Sequence, residues 1–167
     1  MAASPPAPKP MKPTPLIRPA VREDAPEIAR LVERYWEFEK IPGFEFSRIE
    51  SLLRAFLSDP RSGAGWLAIS GGETVGYLLA TFVFSLEHGG LMAEIDELFV
   101  TPSARSAGVG SALLQTAEAA LKQRGCVRIQ LQLSSDNAAA RKFYRRHGYA
   151  ERARYELLDK PLTNRPA

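Results

Sequence analysis

Ala93–Val100 has the composition of a strand and stops at Pro102, whereas Ala112–Leu121 is built of strong helix formers with apolar residues three and four apart. The segment between them, Thr101-Pro102-Ser103-Ala104-Arg105-Ser106-Ala107-Gly108-Val109-Gly110-Ser111, therefore has to turn a strand into a helix, and it carries one Arg and two glycines. Such a turn gathers backbone N–H groups at a helix N-terminus, where the dipole favours negative charge and glycine lets a ligand approach the main chain. It reads as a phosphate cradle. Two common phosphate loops do not fit: Walker A requires G-x-x-x-x-G-K-[ST] and the dinucleotide fingerprint requires G-x-G-x-x-G. Here Gly108-Val109-Gly110 is followed by Ser111, Ala112 and Leu113.

The rest of the chain supplies a sheet and helices around this loop. Residues 1–15 contain Pro5, Pro6, Pro8, Pro10, Pro13 and Pro15 among small residues, a composition expected to give an extended tail outside the fold. A short strand, Leu16–Ala20, precedes a helix for which Asp24 is the expected N-cap and Pro26 the first-turn residue. Ile28, Leu31, Val32, Tyr35 and Trp36 give it a buried stripe, and Pro42-Gly43 ends it. A second helix is expected from Ser47, where Ser47-Arg48-Ile49-Glu50 has capping-box spacing, to Asp59-Pro60. Trp66–Ile69 and Thr74–Phe84 flank Gly71-Gly72-Glu73 and predict an antiparallel hairpin. Beyond the loop, the helix ends at Arg124-Gly125, Val127–Leu133 alternates as a strand, and a further helix runs from about Asn137 to Arg146. Tyr149–Leu158 is expected to close the sheet. One domain, 16–160, with a C-terminal tail, 161–167, accounts for all of this.

Composition narrows the function. With 167 residues and 45% apolar content the chain can bury a core without staples. The single Cys126 rules out an intrachain disulfide and a cysteine-based zinc cluster. No apolar run approaches membrane-spanning length and the first residues lack a signal-peptide layout, so a cytoplasmic protein without membrane partners is expected. The charge is asymmetric: no Lys or Arg lies between Arg61 and Arg105, where Glu73, Glu87, Glu94, Asp96 and Glu97 fall, and Arg105–Arg154 is predominantly basic. That division suits a polyphosphate ligand on one side and a cationic amine on the other. The basic cluster Arg141, Lys142, Arg145 and Arg146 lacks interleaved stacking aromatics, so no nucleic-acid partner is expected.

A second run stands beside the loop: Asn137-Ala138-Ala139-Ala140-Arg141-Lys142-Phe143-Tyr144-Arg145-Arg146-His147-Gly148-Tyr149. Arg105-x-x-Gly108-x-Gly110 after a strand ending in Pro102 resembles the pyrophosphate loop of the GCN5-related N-acetyltransferase (GNAT) family. This second run is similar to the Asn, Ala, Tyr, Gly-aromatic signature of the same family. Together they cover Ala93–Tyr149 in the family's order. The resemblance implies an α/β domain of the GNAT (acyl-CoA N-acyltransferase) fold, with a central mixed, mostly antiparallel sheet splayed after strand 4 and about four flanking helices. It also implies acetyl-CoA as co-substrate, with no metal, and direct acetyl transfer to an amine in a ternary complex.

Under that resemblance, backbone groups of Leu98, Phe99 and Val100 pair with the pantetheine amides as a missing strand would. N–H groups across Arg105, Ser106, Ala107, Gly108, Val109, Gly110 and Ser111 hold the pyrophosphate, with Arg105 as a direct cation. Tyr144 is the candidate acid for the departing thiolate, and Asn137 serves as a cofactor contact or a helix cap. Glu94, Asp96 and Glu97 compete as the base that deprotonates the amine. Strand alternation places Glu94 and Asp96 on one face and Glu97 on the other unless a bulge intervenes, which favours the first two jointly. His147 reads most simply as a helix C-terminal cation, and His88 as a neighbour of the acceptor mouth. The acceptor is expected to be a small cationic amine, with a protein amine the other possibility. A homodimer is common in the family, and no residue here fixes one. The alternative function is an acyl-CoA-binding sensor or scaffold without catalysis.

Overall fold

A computed structural model describes residues 14–105, 107–152 and 154–162. Most of the Pro-rich segment, residues 1–13, and the end of the chain, 163–167, lie outside the described residues.

Among the described residues, five strands lie in sequence order in one sheet: β1 Leu16–Pro19, β2 Gly63–Ser70, β3 Glu73–Ser85, β4 Gly90–Val100 and β5 Arg128–Leu131. The first four pair antiparallel and β4–β5 pair parallel. The β2–β3 turn is Gly71-Gly72, at φ 61° and 83°. Two successive left-handed residues match the right-handed twist of a hairpin, and glycine takes them without strain.

Helices cover both faces. On one side α1, Ala25–Glu39, and α2, Phe46–Ser58, bury Ile28, Leu31, Val32, Ile49 and Leu53 against Leu67, Tyr77, Leu79 and Phe99. On the other, α3, Val109–Gln123, lays Leu113, Leu114, Ala117 and Leu121 on Trp66, Leu78, Ala80, Ala93 and Ile95. The last helix, α4, Ala138–Arg146, joins that core through Tyr144. This is the expected mixed sheet with four flanking α-helices. Among the described residues, no helix is long and apolar enough to cross a membrane.

Local expectations fail at three places. Asp24 precedes α1 but makes no side-chain cap; its carboxylate takes two 2.7 Å hydrogen bonds from the Arg18 guanidinium and one of 2.8 Å from the Val21 N–H. Bidentate pairing with Arg outcompetes a cap bond and holds the carboxyl below its usual value. The capping box at Ser47 does not form: α2 starts one residue earlier, the Ser47 hydroxyl bonds Glu45, and Glu50 pairs with Arg54 one turn on. Finally, the described part of Tyr149–Leu158 contains no strand. Arg152 and Tyr155 instead bond Glu87 in the β3–β4 connection, and Leu157 and Leu158 stay 70% and 88% exposed. Side-chain contacts to that connection hold the segment in place of a ladder along β5.

Two irregularities in β4 position the site. Its pairing with β5 covers only Met92–Ile95 against Arg128–Leu131, so from Asp96 onward β4 has no neighbour on that side. In its pairing with β3, Leu79 faces Glu97 and Ala80 faces Ile95, which leaves Asp96 as the extra residue of a bulge.

Candidate functional site

Where β4 and β5 part, a cavity of about 680 Å³ opens. Its walls come from α1 (Tyr35, Phe38, Glu39), β4 (Ile95, Asp96, Leu98, Phe99, Val100), the loop (Arg105), the start of α3 (Gly108–Ser111), the end of β5 and α4 (Asn137, Phe143, Tyr144, His147). Of the residues singled out in the sequence, Asp96, Leu98, Phe99, Val100, Arg105, Gly108, Val109, Gly110, Ser111, Asn137 and Tyr144 line this one cavity. Glu94 and Ala107 do not, and Ser106 lies outside the described residues. A larger groove, about 1090 Å³, runs along the other side of α4 and β5, but of these residues only Tyr144 reaches it.

The loop builds its end of the cavity from main chain. Gly108 caps α3 at φ 77°, a left-handed value that turns the chain into the helix and that glycine adopts freely. The first turn of α3 holds no acidic residue, so nothing there neutralises the helix dipole before a ligand does. Arg105 is more constrained than a loose loop cation. Its Nε donates to the Val100 carbonyl at 3.0 Å, closing the end of β4, and its guanidinium lies 4.9 Å from the Phe38 ring and 5.8 Å from that of Phe99.

Helix α4 supplies the opposite wall. Asn137 is its N-cap: Oδ1 accepts from the Ala140 N–H at 3.0 Å, while Nδ2 donates to Glu39 of α1 at 3.1 Å. Two turns further in, Tyr144 is 8% exposed, edge-packed against Phe143 and Tyr149, and its hydroxyl has no hydrogen-bond partner among the described residues. Burial raises its pKa well above the ordinary phenol value, with the Tyr35 phenol across the cavity adding to the shift. The hydroxyl therefore keeps its proton throughout the working range of pH.

The three acids of β4 separate in a way alternation alone does not predict. Directly paired residues share a face. Glu97 pairs with Leu79 and Glu94 with Thr81, two residues further along β3, so both acids fall on the α1 side and Asp96 is the odd one out. The expectation that Glu94 and Asp96 share a face against Glu97 is thus corrected by the bulge. Each acid has its own surroundings. Glu97 accepts from the Trp36 indole at 2.8 Å and the Tyr77 hydroxyl at 2.7 Å, and burial outweighs both bonds to raise its pKa. Glu94 accepts from the Gln130 and Gln132 amides at 2.7 and 2.9 Å. Asp96 reaches solvent at the cavity mouth, yet surrounding protein raises its carboxyl above the usual range, and the nearby Glu94 carboxylate raises it further.

Two sets of contacts across the cavity have no signal in the sequence. Phe38 and Glu39, at the end of α1, touch Arg105 and Asn137 across the cavity. His147 is more than a terminal cation, because its Nε2 lies 3.0 Å from the Ser111 hydroxyl at the start of α3. Only tertiary packing brings these pairs together. His88 sits away from the cavity, within 3.2 Å of Arg152.

The splayed sheet leaves the N-terminus of α3 and the Tyr144 phenol on the wall of one cavity, an arrangement suited to holding a phosphate-bearing group carrier. A solved integron cassette protein from the mobile metagenome of Cole Harbour Salt Marsh has this architecture: TM-score 0.79, 30% identity, covering 89% of this chain and 91% of that one. The sequence pattern of the "Acetyltransferase (GNAT) family" matches residues 25–149, and the chain belongs to that family. It is 33% identical over 135 residues to the uncharacterized N-acetyltransferase YhfO of Bacillus subtilis, covering 81% of this chain and 89% of that protein. It is also 29% identical over 157 residues to the aminoglycoside N(6′)-acetyltransferase type 1 of Klebsiella aerogenes, covering 91% and 100%. Its activity is acetyl-CoA-dependent N-acetyl transfer.

Proposed function

We propose that the chain acetylates a small cationic amine by direct attack on acetyl-CoA bound in the cavity at the β4–β5 splay. The observation that carries this reading is convergence: the open edge of β4, the N-terminus of α3, a protonated phenol and a carboxylate share one cavity. The diphosphate rests on N–H groups of Gly108–Ser111, with Arg105 as a neighbouring cation, and the pantetheine amides pair with Leu98–Val100. Asn137 holds α4 against α1 at the rim.

The amine nitrogen attacks the thioester carbon, its proton leaving to Asp96 directly or through water. The C–S bond then breaks as the tetrahedral intermediate collapses, and Tyr144 gives its hydroxyl proton to the departing sulfur. Glu94 acts through Asp96: its charge raises the Asp96 pKa, which makes the carboxylate a better base. The cationic acceptor is supported by the absence of Lys and Arg between Arg61 and Arg105 and by Asp96 and Glu39 in the cavity wall. A relative named for aminoglycosides, which are polycationic amines, points the same way.

The test is a thiol-release screen across polyamines, aminoglycosides, amino acids and peptide amines with acetyl-CoA. Turnover confined to neutral or anionic acceptors would remove the cationic-amine reading.

A further inference from the structure

Ser111 and His147 meet where the start of α3 faces the end of α4, with Ser111 Oγ 3.0 Å from His147 Nε2. Both line the cavity. The imidazole packs on Phe143 at 4.7 Å between centroids, and no second hydrogen bond reaches the ring among the described residues. The transfer chemistry uses neither side chain.

A serine hydroxyl has one proton to give. When His147 Nε2 carries no hydrogen, Ser111 donates to it and turns only lone pairs toward the cavity. When Nε2 is protonated, it donates to Oγ, and the Ser111 proton is free to point at an anion on the α3 N-terminus. The doubly protonated imidazolium enforces the second arrangement and adds a positive charge.

We propose that His147 is a proton-linked residue of the donor site: through Ser111 it makes the grip on the coenzyme diphosphate stronger when the ring is protonated. This rests on the reading of Gly108–Ser111 as the donor cradle. The charged and titratable groups on the surrounding elements are Arg141, Lys142, Tyr144, Arg145 and Arg146 on α4, Tyr149 and Glu151 after it, Glu118 and Lys122 on α3 and Arg105 in the loop. Glu118 is engaged by the Tyr149 hydroxyl, and Glu151 by Arg141 and Arg145. Arg105 and Arg146 line the same cavity. A bound diphosphate and a protonated ring attract one another, so anion binding and proton uptake at His147 favour one another reciprocally.

Dephospho-CoA is the suitable probe. The 3′-phosphate monoester of CoA itself takes up a proton near pH ~6, whereas the diphosphate diester that dephospho-CoA retains stays ionised. Calorimetric titration of the full chain should show about tenfold tighter binding at pH 6 than at pH 8, the scale of one charge-assisted hydrogen bond. His147→Ala should bind weakly at both pH values with no slope. His147→Gln, whose amide donates to Ser111 at any pH, should restore binding near the pH 6 level of the wild type, again without slope. In the unmodified protein, the NMR titration midpoint of the His147 ring should rise when dephospho-CoA is added. A flat wild-type profile, a His147→Ala slope equal to that of wild type, or an unmoved midpoint overturns the proposal. If dephospho-CoA binds and acetyl transfer persists while the slope is missing, only the role of His147 falls. If dephospho-CoA does not bind, the cradle reading falls with it.

Discussion

The end of the cavity formed by the loop and α3 is made largely of main chain, whereas the end formed by α1 and the middle of β4 is made of side chains. At the first end the open edge of β4, the left-handed Gly108 and the N–H groups of the α3 first turn do the shaping. At the second, Tyr35, Phe38, Glu39 and Asp96 do. Backbone recognition tolerates many neighbours and specifies a ligand common to the family. Side-chain recognition changes with single substitutions and, on the function proposed above, is where the acceptor is chosen. Substitutions at the first end should therefore act on acetyl-CoA binding, and those at the second on the amine and its proton.

The largest effect is expected where the ends meet. Tyr144→Phe should lower kcat by about a hundredfold, within the usual range for losing a general acid, with the KM for acetyl-CoA changed little. An unchanged kcat with intact donor binding would remove Tyr144 from the chemistry. Asp96→Asn should cost about tenfold in kcat/KM for the amine and abolish the acidic limb of its pH profile. The sign follows from the raised pKa: the base works deprotonated, so the rate falls as pH falls through the elevated Asp96 value, and the limb sits above the ordinary carboxylate range. Glu94→Gln removes the neighbouring charge and should move that limb to lower pH. A limb that stays put in both variants assigns the base elsewhere.

Smaller again, Arg105→Ala should raise the KM for acetyl-CoA by about three- to tenfold and leave kcat nearly unchanged. A loss in kcat alone would contradict the division between the two ends. Least of all, Trp36→Phe removes the indole bond to Glu97 and should cost about 1 kcal/mol of stability, read as a drop in Tm of a few degrees, with acetyl-CoA binding intact.

The same contrast explains how much could be read from the residues in order. The glycine turn at Gly71-Gly72, the Gly108 entry into α3 and the Asn-capped α4 are governed by local backbone preference, and each lies where its residues predict. The bulge at Asp96 has no such local signal, because Glu94–Leu98 contains neither Gly nor Pro; it exists only in the pairing with β3. Ser47-x-x-Glu50 has capping spacing, but Arg54 claims Glu50. Tyr149–Leu158 contains residues suited to a strand, but Glu87 engages Arg152 and Tyr155. In all three cases a partner distant in sequence, or one helical turn away, decides between locally acceptable options.

The extra residue at Asp96 acts as a phase shift in β4. A strand with strict alternation offers its acids to two surfaces in fixed turn, whereas one inserted residue resets the count and gives Asp96 an aspect that neither Glu94 nor Glu97 shares. Which acid meets the amine then depends on strand register rather than on alignment column. Two members of this family with the same acids along this strand would present different ones to the cavity if only one paired with a bulge here.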